Sequence, residues 1–407
     1  MKKIIPLLLL VGLLFASAGA FAQEDHLSPP PESAKMSGWD NGFWIRSADD
    51  MFKFKIGALV QFEQLTEIRQ GLARSANKPP PDKFNDTFLM RRANLATSGT
   101  LFEKVDFSAI LNTSTGATSQ SFNFFSDFTY NFLPTFRVSG GTIGIPLDML
   151  GEASSRWFLT VEPPLVATQE DGQKLQTIAR QSFGAPADLG LRMEGDIFDG
   201  HLNVQAAATN GAGFKSQNTN NDLSYGGRMQ YNVWEAVDIS KEGDFAWSEN
   251  AKLSFNVGTM FEDKDAPDTF LPAVTHKWAW TTTGGAEFRW RGFALNAEGY
   301  LRDDKVLAAP GTLDVNNNGK LRDTGYYANG SYFVIPKKLE IALTASQVMR
   351  EGPDNDANEF GGGINWYIFK NNVKWQIDYT NVLDYDDVAG LNNATYHRFR
   401  TMFSVMM

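Results

Sequence analysis

Cysteine is absent from the 407 residues, so no disulfide framework or thiolate chemistry is open to this chain. Long apolar runs are missing too. Beyond the first twenty-two residues none approaches the ~20 residues of a spanning helix, and the mean hydropathy is -0.29, which excludes a helical membrane protein. Histidine is confined to His26, His201, His276 and His397. None stands beside a serine-nucleophile motif, and there is no His-Glu-x-x-His, so hydrolytic or zinc chemistry has little to build on. Basic residues are in deficit, 37 Lys and Arg against 47 Asp and Glu. That balance argues against a nucleic-acid partner.

What is present begins with a leader. Lys2 and Lys3 precede an apolar run from Ile4 to Phe15, and small residues lead to Ala20-Phe21-Ala22. Residues 1–22 read as a secretory signal peptide with cleavage before Gln23, since the apolar run is too short for an anchor. Without Lys2 and Lys3 the formal charge moves from -10 to -12. Residues 23–42, polar and carrying Pro29-Pro30-Pro31, read as an extended periplasmic lead-in. No linker divides residues 43–407, so they form one unit.

That unit alternates with period two. Phe52, Phe54, Ile56, Ala58, Val60 and Phe62 interleave with Lys53, Lys55, Gly57, Leu59, Gln61 and Glu63, which makes one apolar face on a strand and none on a helix. The pattern returns at Leu253 to Phe261, Trp278 to Trp290 and Val373 to Tyr379, and the chain ends inside it at Phe399, Phe403 and Val405. Tight connections such as Phe198-Asp199-Gly200-His201, Trp290-Arg291-Gly292-Phe293 and Ile335-Pro336-Lys337-Lys338 alternate with longer acidic ones. Examples are Glu262 to His276, Asp303 to Thr324, Glu351 to Asn358 and Asp384 to Ala394. The expectation is an all-β fold: a transmembrane antiparallel β-barrel of about sixteen strands, with short periplasmic turns, longer outer loops and aromatic girdles. A soluble sandwich or propeller is the alternative, but at this length it should show a domain break.

The order of segments resembles the phosphate-selective porin O and P family. The likeness runs through GFWIRSADDMFKFKIGALVQFE, TFLMRRANLATSGTLFEKVDFSAIL, FRVSGGTIGIPLDMLG, ADLGLRMEGDIFDGHLNVQAAATNGAGF and NWYIFKNNVKWQIDY. It implies a sixteen-stranded, trimeric outer-membrane porin, with no enzymatic step and no cofactor, and with one long loop folded inward to constrict the pore. The matching segment runs from Pro146 to about Pro186. It carries Arg156, Lys174 and Arg180 beside Asp148, Glu152, Glu162, Glu170 and Asp171.

Charges lining a narrow water path would set selectivity, and strand parity sorts them. Opposite the apolar face fall Lys53, Lys55, Arg92, Arg137, Arg192, Arg228, Lys252, Lys277, Arg289, Arg291, Lys374, Arg398 and Arg400. The acids of that parity are fewer: Glu63, Asp188, Glu194, Glu287, Glu298, Glu340 and Asp378. Others, including Asp263, Asp303, Asp304 and Glu359, fall in expected loops. Arg91, next to Arg92, should point outward and snorkel. The pattern suggests passive diffusion of small hydrophilic solutes with a preference for anions, and the resemblance implies phosphate among them. A solvated, non-selective lumen is the competing reading, and an outer-membrane barrel enzyme or a plugged structural barrel are further ones. In an outer loop, Asp314, Asn316 and Asn318 before Gly319 have the spacing of a calcium loop; the twelfth position is Gly325, and a plain Asn-Gly loop competes. Expected partners are outer-membrane lipid, small anionic or polar solutes and two further copies in a homotrimer.

Overall fold

The structure, a computed structural model, describes residues 36–73, 83–115, 120–167, 183–185, 187–211, 223–267, 274–308, 319–351, 356–387 and 391–407. A hairpin of β1 (Ser37–Trp39) and β2 (Phe43–Arg46) precedes sixteen barrel strands. They are β3 (Phe52–Ala73), β4 (Lys83–Leu101), β5 (Val105–Thr115), β6 (Gln120–Leu133), β7 (Phe136–Gly144), β8 (Ala187–Ile197), β9 (Leu202–Thr209) and β10 (Ser224–Asn232). They continue as β11 (Lys252–Pro267), β12 (Val274–Trp290), β13 (Phe293–Ala308), β14 (Lys320–Ile335), β15 (Leu339–Arg350), β16 (Ala357–Phe369), β17 (Val373–Asp387) and β18 (Leu391–Met406). Every neighbour is antiparallel, and β18 pairs with β3 from Leu391↔Ala73 to Met406↔Leu59. Closure leaves no edge with unpaired backbone groups, the condition for a sheet in hydrocarbon.

Where β18 ends, Met407 and Ala58 exchange two backbone hydrogen bonds of 2.8 Å. Beyond that point β2 takes over the edge of β3, pairing Phe43↔Ile56 to Arg46↔Lys53, and β1 pairs with β2. The lead-in expected over 23–42 therefore ends as a strand of this hairpin, while residues 1–35 lie outside the described region.

Alternation along each strand divides the wall cleanly. In β14, Leu321, Asp323, Tyr327, Asn329, Ser331 and Phe333 are buried, and Arg322, Tyr326 and Tyr332 are exposed. Outward aromatics mark the limits of an apolar belt. Trp280 and Trp290 on β12 are ten residues apart, about 33 Å along a strand, which at a tilt of ~40° is roughly the 25 Å height of a bilayer-spanning belt.

Six connections at one end of the barrel are turns of two to four residues, among them Arg291-Gly292, both at positive φ. Strands at the other end run past the belt. Asp263, Asp303, Asp304 and Glu359, which the sequence suggested were loop residues, lie within β11, β13 and β16, and Asp304 and Glu359 are buried inside the barrel. Strands that continue above the hydrocarbon carry charge on both faces, so acidity alone does not mark where a loop begins.

The outward belt makes a direct prediction. Phe360, 56% exposed and in register with Ala345 on β15, points outward from β16. Phe360→Arg should destabilise the barrel by about 2–4 kcal/mol, measured by urea unfolding in bilayers, while Phe360→Leu should stay within about 1 kcal/mol.

Candidate functional site: two inserts inside the barrel

The lumen is occupied by chain. Residues 145–167, after β7, enter from the long-connection end, as expected for the constriction segment, and include one helical turn, α1 (Met149–Glu152). A second insert, residues 233–251 between β10 and β11, enters from the short-turn end. Sequence reasoning missed it. The clue was available: the connections alternate ends, so a nineteen-residue connection fell where only tight turns were due.

An irregular segment inside a barrel must find partners for its backbone groups, and here the wall supplies them. The Met149 N–H donates to Glu298 Oε2 (3.1 Å), Val161 N–H to Asp378 Oδ2 (2.7 Å), Leu165 N–H to Glu359 Oε2 (2.9 Å) and Val166 N–H to Ser346 Oγ (3.1 Å). Carbonyls are met in turn: Arg156 O accepts from Lys374 Nζ (2.9 Å), Phe158 O from Gln376 (3.1 Å) and Leu159 O from Asn365 (3.0 Å). The second insert is held likewise, with Arg289 donating to Lys241 O (2.9 Å) and Asn296 to Glu242 O (3.0 Å). Apolar side chains of the first insert, Met149, Leu150, Leu165 and Val166, pack on Tyr300, Tyr327 and Val348 of the wall. Close approach needs bare backbone: a Cβ on Gly258 would lie 1.8 Å from Leu147 O, and one on Gly226 2.2 Å from Ile145 Cγ2.

The inserts also meet each other. Leu159 N–H donates to Glu242 Oε2 (2.7 Å), Ser154 N–H donates to Ser240 O (3.0 Å), and Trp157 packs on Phe245 with ring centroids 5.5 Å apart. Phe245 in turn packs on Tyr367 at 5.0 Å.

Across the lumen, Glu162 is gripped by Arg91 and Arg92 of β4. The expectation for Arg91 is corrected here. Gln61 pairs with Arg92 and Phe62 with Met90, so Arg91 is the extra residue of a β-bulge, and the bulge turns both arginines inward. Burial alone would raise the Glu162 carboxyl, but Arg91, Arg92 and Arg400 outweigh it and hold it down at about 2.

Several inward cations are structural. Arg92, Arg228, Arg289, Lys374, Arg398 and Arg400 are all buried. Arg228 donates to Asn256 (2.7 Å), Arg289 pairs with Glu287 (3.1 Å), Arg398 with Glu67 (2.7 Å) and Arg400 with Asp378 (3.5 Å). Lys252 sits 3.5 Å from Glu235, and Lys277 is a half-buried residue at a bulge of β12. Arg291 is not on the wall. It occupies the exposed β12–β13 turn with φ 45° and its guanidinium lies over Trp290 (5.6 Å), as a tight turn there requires. Lys53 and Lys55 lie at the short-turn mouth beside Trp44, in a cavity of about 610 Å³. Arg156 is exposed at the same end, with its Nη1 3.1 Å from the Met406 sulfur. Lys174 and Arg180, and the calcium-loop residues Asp314, Asn316 and Asn318, lie outside the described residues.

Among the described residues, eight buried arginines and lysines face fourteen buried Asp and Glu, so the interior is not the basic surface that parity suggested. The sequence count missed Glu67, Glu262, Asp304, Asp323 and Glu359 because they sat beyond the assumed strand ends.

One wall stays accessible. Inward Asp106, Ser108, Asn112, Asp127, Thr129 and Asn131 on β5 and β6 are half-buried, and so are Arg192, Glu194 and Asp196 on β8. Arg192 pairs with Glu152 of the first insert (2.9 Å) and lies 3.8 Å from Glu194; Arg137, its side chain 49% exposed, pairs with Glu194 (2.5 Å). The inserts thus lie mainly against β10–β18, with Glu162 reaching β4 and Glu152 reaching Arg192 of β8, and leave a polar strip of mixed charge along β5–β8.

No family model matches the chain, and no curated protein sequence matches it either. Solved structures do. The anion-selective porin from Comamonas acidovorans is similar with a TM-score of 0.58 at 12% identity, over 88% of this chain and 100% of that one. The outer membrane channel DcaP of Acinetobacter baumannii gives 0.53 at 11% identity, over 89% and 99%. The trimer form of OmpT, an outer membrane protein of Vibrio cholerae, gives 0.51 at 11% identity, over 86% and 99%. The fold is therefore that of the outer-membrane porins: a closed sixteen-stranded barrel with a loop folded into its lumen.

The Glu162 contact makes a pH-dependent prediction. Its carboxyl is depressed in the folded barrel, so its contribution is present above the ordinary 4.5 and is lost as pH falls through about 2. Glu162→Ala at neutral pH strands Arg91 and Arg92 in a buried site and should cost about 3–5 kcal/mol. The gap to the parent protein should narrow below pH 3 in thermal unfolding.

Proposed function

We propose that this chain is an outer-membrane diffusion channel for small hydrophilic solutes, with its long connections outside the cell and its short turns in the periplasm. The observation that carries this reading is the division of the lumen, with inserts packed on β10–β18 and a half-exposed polar strip along β5–β8. The porin fold of the similar structures supports it, and the trimer form of one of them supports a homotrimer. The path asks for no covalent step, and we read the protein as a channel rather than an enzyme.

On selectivity, the anion-selective neighbour and the cations Arg137, Arg156 and Arg192 favour an anion preference, phosphate included. Five carboxylates share the strip with Arg137 and Arg192: Asp106, Asp127, Glu152, Glu194 and Asp196. Charges of both signs at close quarters cancel over a Debye length of ~8 Å, so the geometry supports weak selectivity over a strong phosphate preference.

Planar-bilayer recording tests this. Open channels are expected, with a reversal potential in a salt gradient close to zero. Arg137→Gln with Arg192→Gln should shift it toward cations by several millivolts. Absence of any conductance would sink the channel reading, and a strongly anion-selective potential would restore the phosphate reading.

A further inference from the structure

The second insert does more than fill space. It carries Glu242 to the inner bend of the first insert, where the carboxyl accepts from Leu159 N–H (2.7 Å) and from Asn329 Nδ2 (3.0 Å). Hydrogen bonds from the wall seat the same bend, Asn365 donating to Leu159 O and Gln376 to Phe158 O. Glu242 reaches it from the opposite mouth of the barrel, with the Trp157–Phe245 packing beside it.

We propose that Glu242 is a positioning residue for the constriction: delivered from the short-turn end, its carboxyl fixes the Leu159 bend, so the aperture is set by one insert holding the other. This rests on the channel reading for its consequence, but the contact itself can be tested without a current.

The surroundings make the contact sensitive to pH. Around Glu242 stand Arg289 and Glu287 of β12, Tyr327 of β14, Glu340 of β15, Tyr367 of β16 and Lys374 of β17. The two cations are engaged elsewhere, Arg289 with Glu287 and Lys374 with Arg156 O. Burial therefore pushes the Glu242 carboxyl up to about 7, against the pull of the Leu159 and Asn329 hydrogen bonds and of Arg289 and Lys374. A carboxyl raised by docking favours the docked state fully below its free value of 4.5, and that advantage is lost as pH rises through 7. Docking of the bend should therefore weaken as pH rises over that interval.

The absence of native cysteine allows spin labels on Ser154→Cys and Ser240→Cys, whose backbones touch. Dipolar line broadening between them reads docking directly. In the parent protein it should be strong at pH 5 and weaken toward pH 8. Glu242→Gln should keep it and make it independent of pH, and Glu242→Ala should lose it, with open-channel noise raised at least twofold. Glu242→Asp, one methylene shorter, should lose most of it and decides the matter if Glu242→Ala fails to fold. Asp148, at the far end of the first insert, is pushed up to about 6 by burial, so Asp148→Asn is the control that must leave the profile unchanged. Parent-like broadening in both Glu242→Ala and Glu242→Asp, or a parent-like pH profile in Glu242→Gln, overturns the proposal. If the protein conducts nothing while the labels behave as stated, the channel reading fails and the positioning role stands.

Discussion

The constraint on which the rest of this structure depends is the pairing of backbone groups that have no secondary structure around them. A segment laid through a barrel cannot rely on a ladder for its N–H and C=O groups, and each one left unmet costs about 1–3 kcal/mol. Glu298, Asp378 and Glu359 accept amide protons from the first insert, and Lys374, Gln376 and Asn365 donate to its carbonyls. The inward face of β13–β17 therefore acts as a fixed template whose polar groups were spent on chain before any could meet a solute.

That use explains why the interior charge does not describe the pore. Most buried arginines meet carboxylates, and Glu298, Asp378 and Glu359 of the wall accept amide protons from the first insert. What the inserts leave open is the strip along β5–β8, with its half-exposed Asp, Asn, Ser and Thr side chains. A chain of net charge -10 can hold a path whose local balance differs from its total, but here the path is mixed rather than basic.

Much of the fold was legible because a period of two is a strong signal when one face meets lipid. The outward residues of β3, β11, β12 and β18 follow from alternation alone, and the inward loop after β7 was visible from the family resemblance. Arg91 was not legible, since a single bulge residue reverses the parity of everything read across it. The 233–251 insert was hidden because Val237, Phe245 and Trp247 show no period and their partners lie far apart in sequence, on β10, β14 and β16. The acids at the long-connection end misled for a third reason: a strand that outruns the membrane no longer has to keep charge on one face.

The lumen is divided into a filled side and a wet side. With no cysteine in the native sequence, single cysteines at Asn112 and Thr129 on one side, and at Asn329 and Gln376 on the other, can be challenged with a water-soluble maleimide in the folded barrel. The account predicts that the first two react within minutes and the second two only after unfolding. Equal reaction at all four, or protection at Asn112 and Thr129, would contradict it.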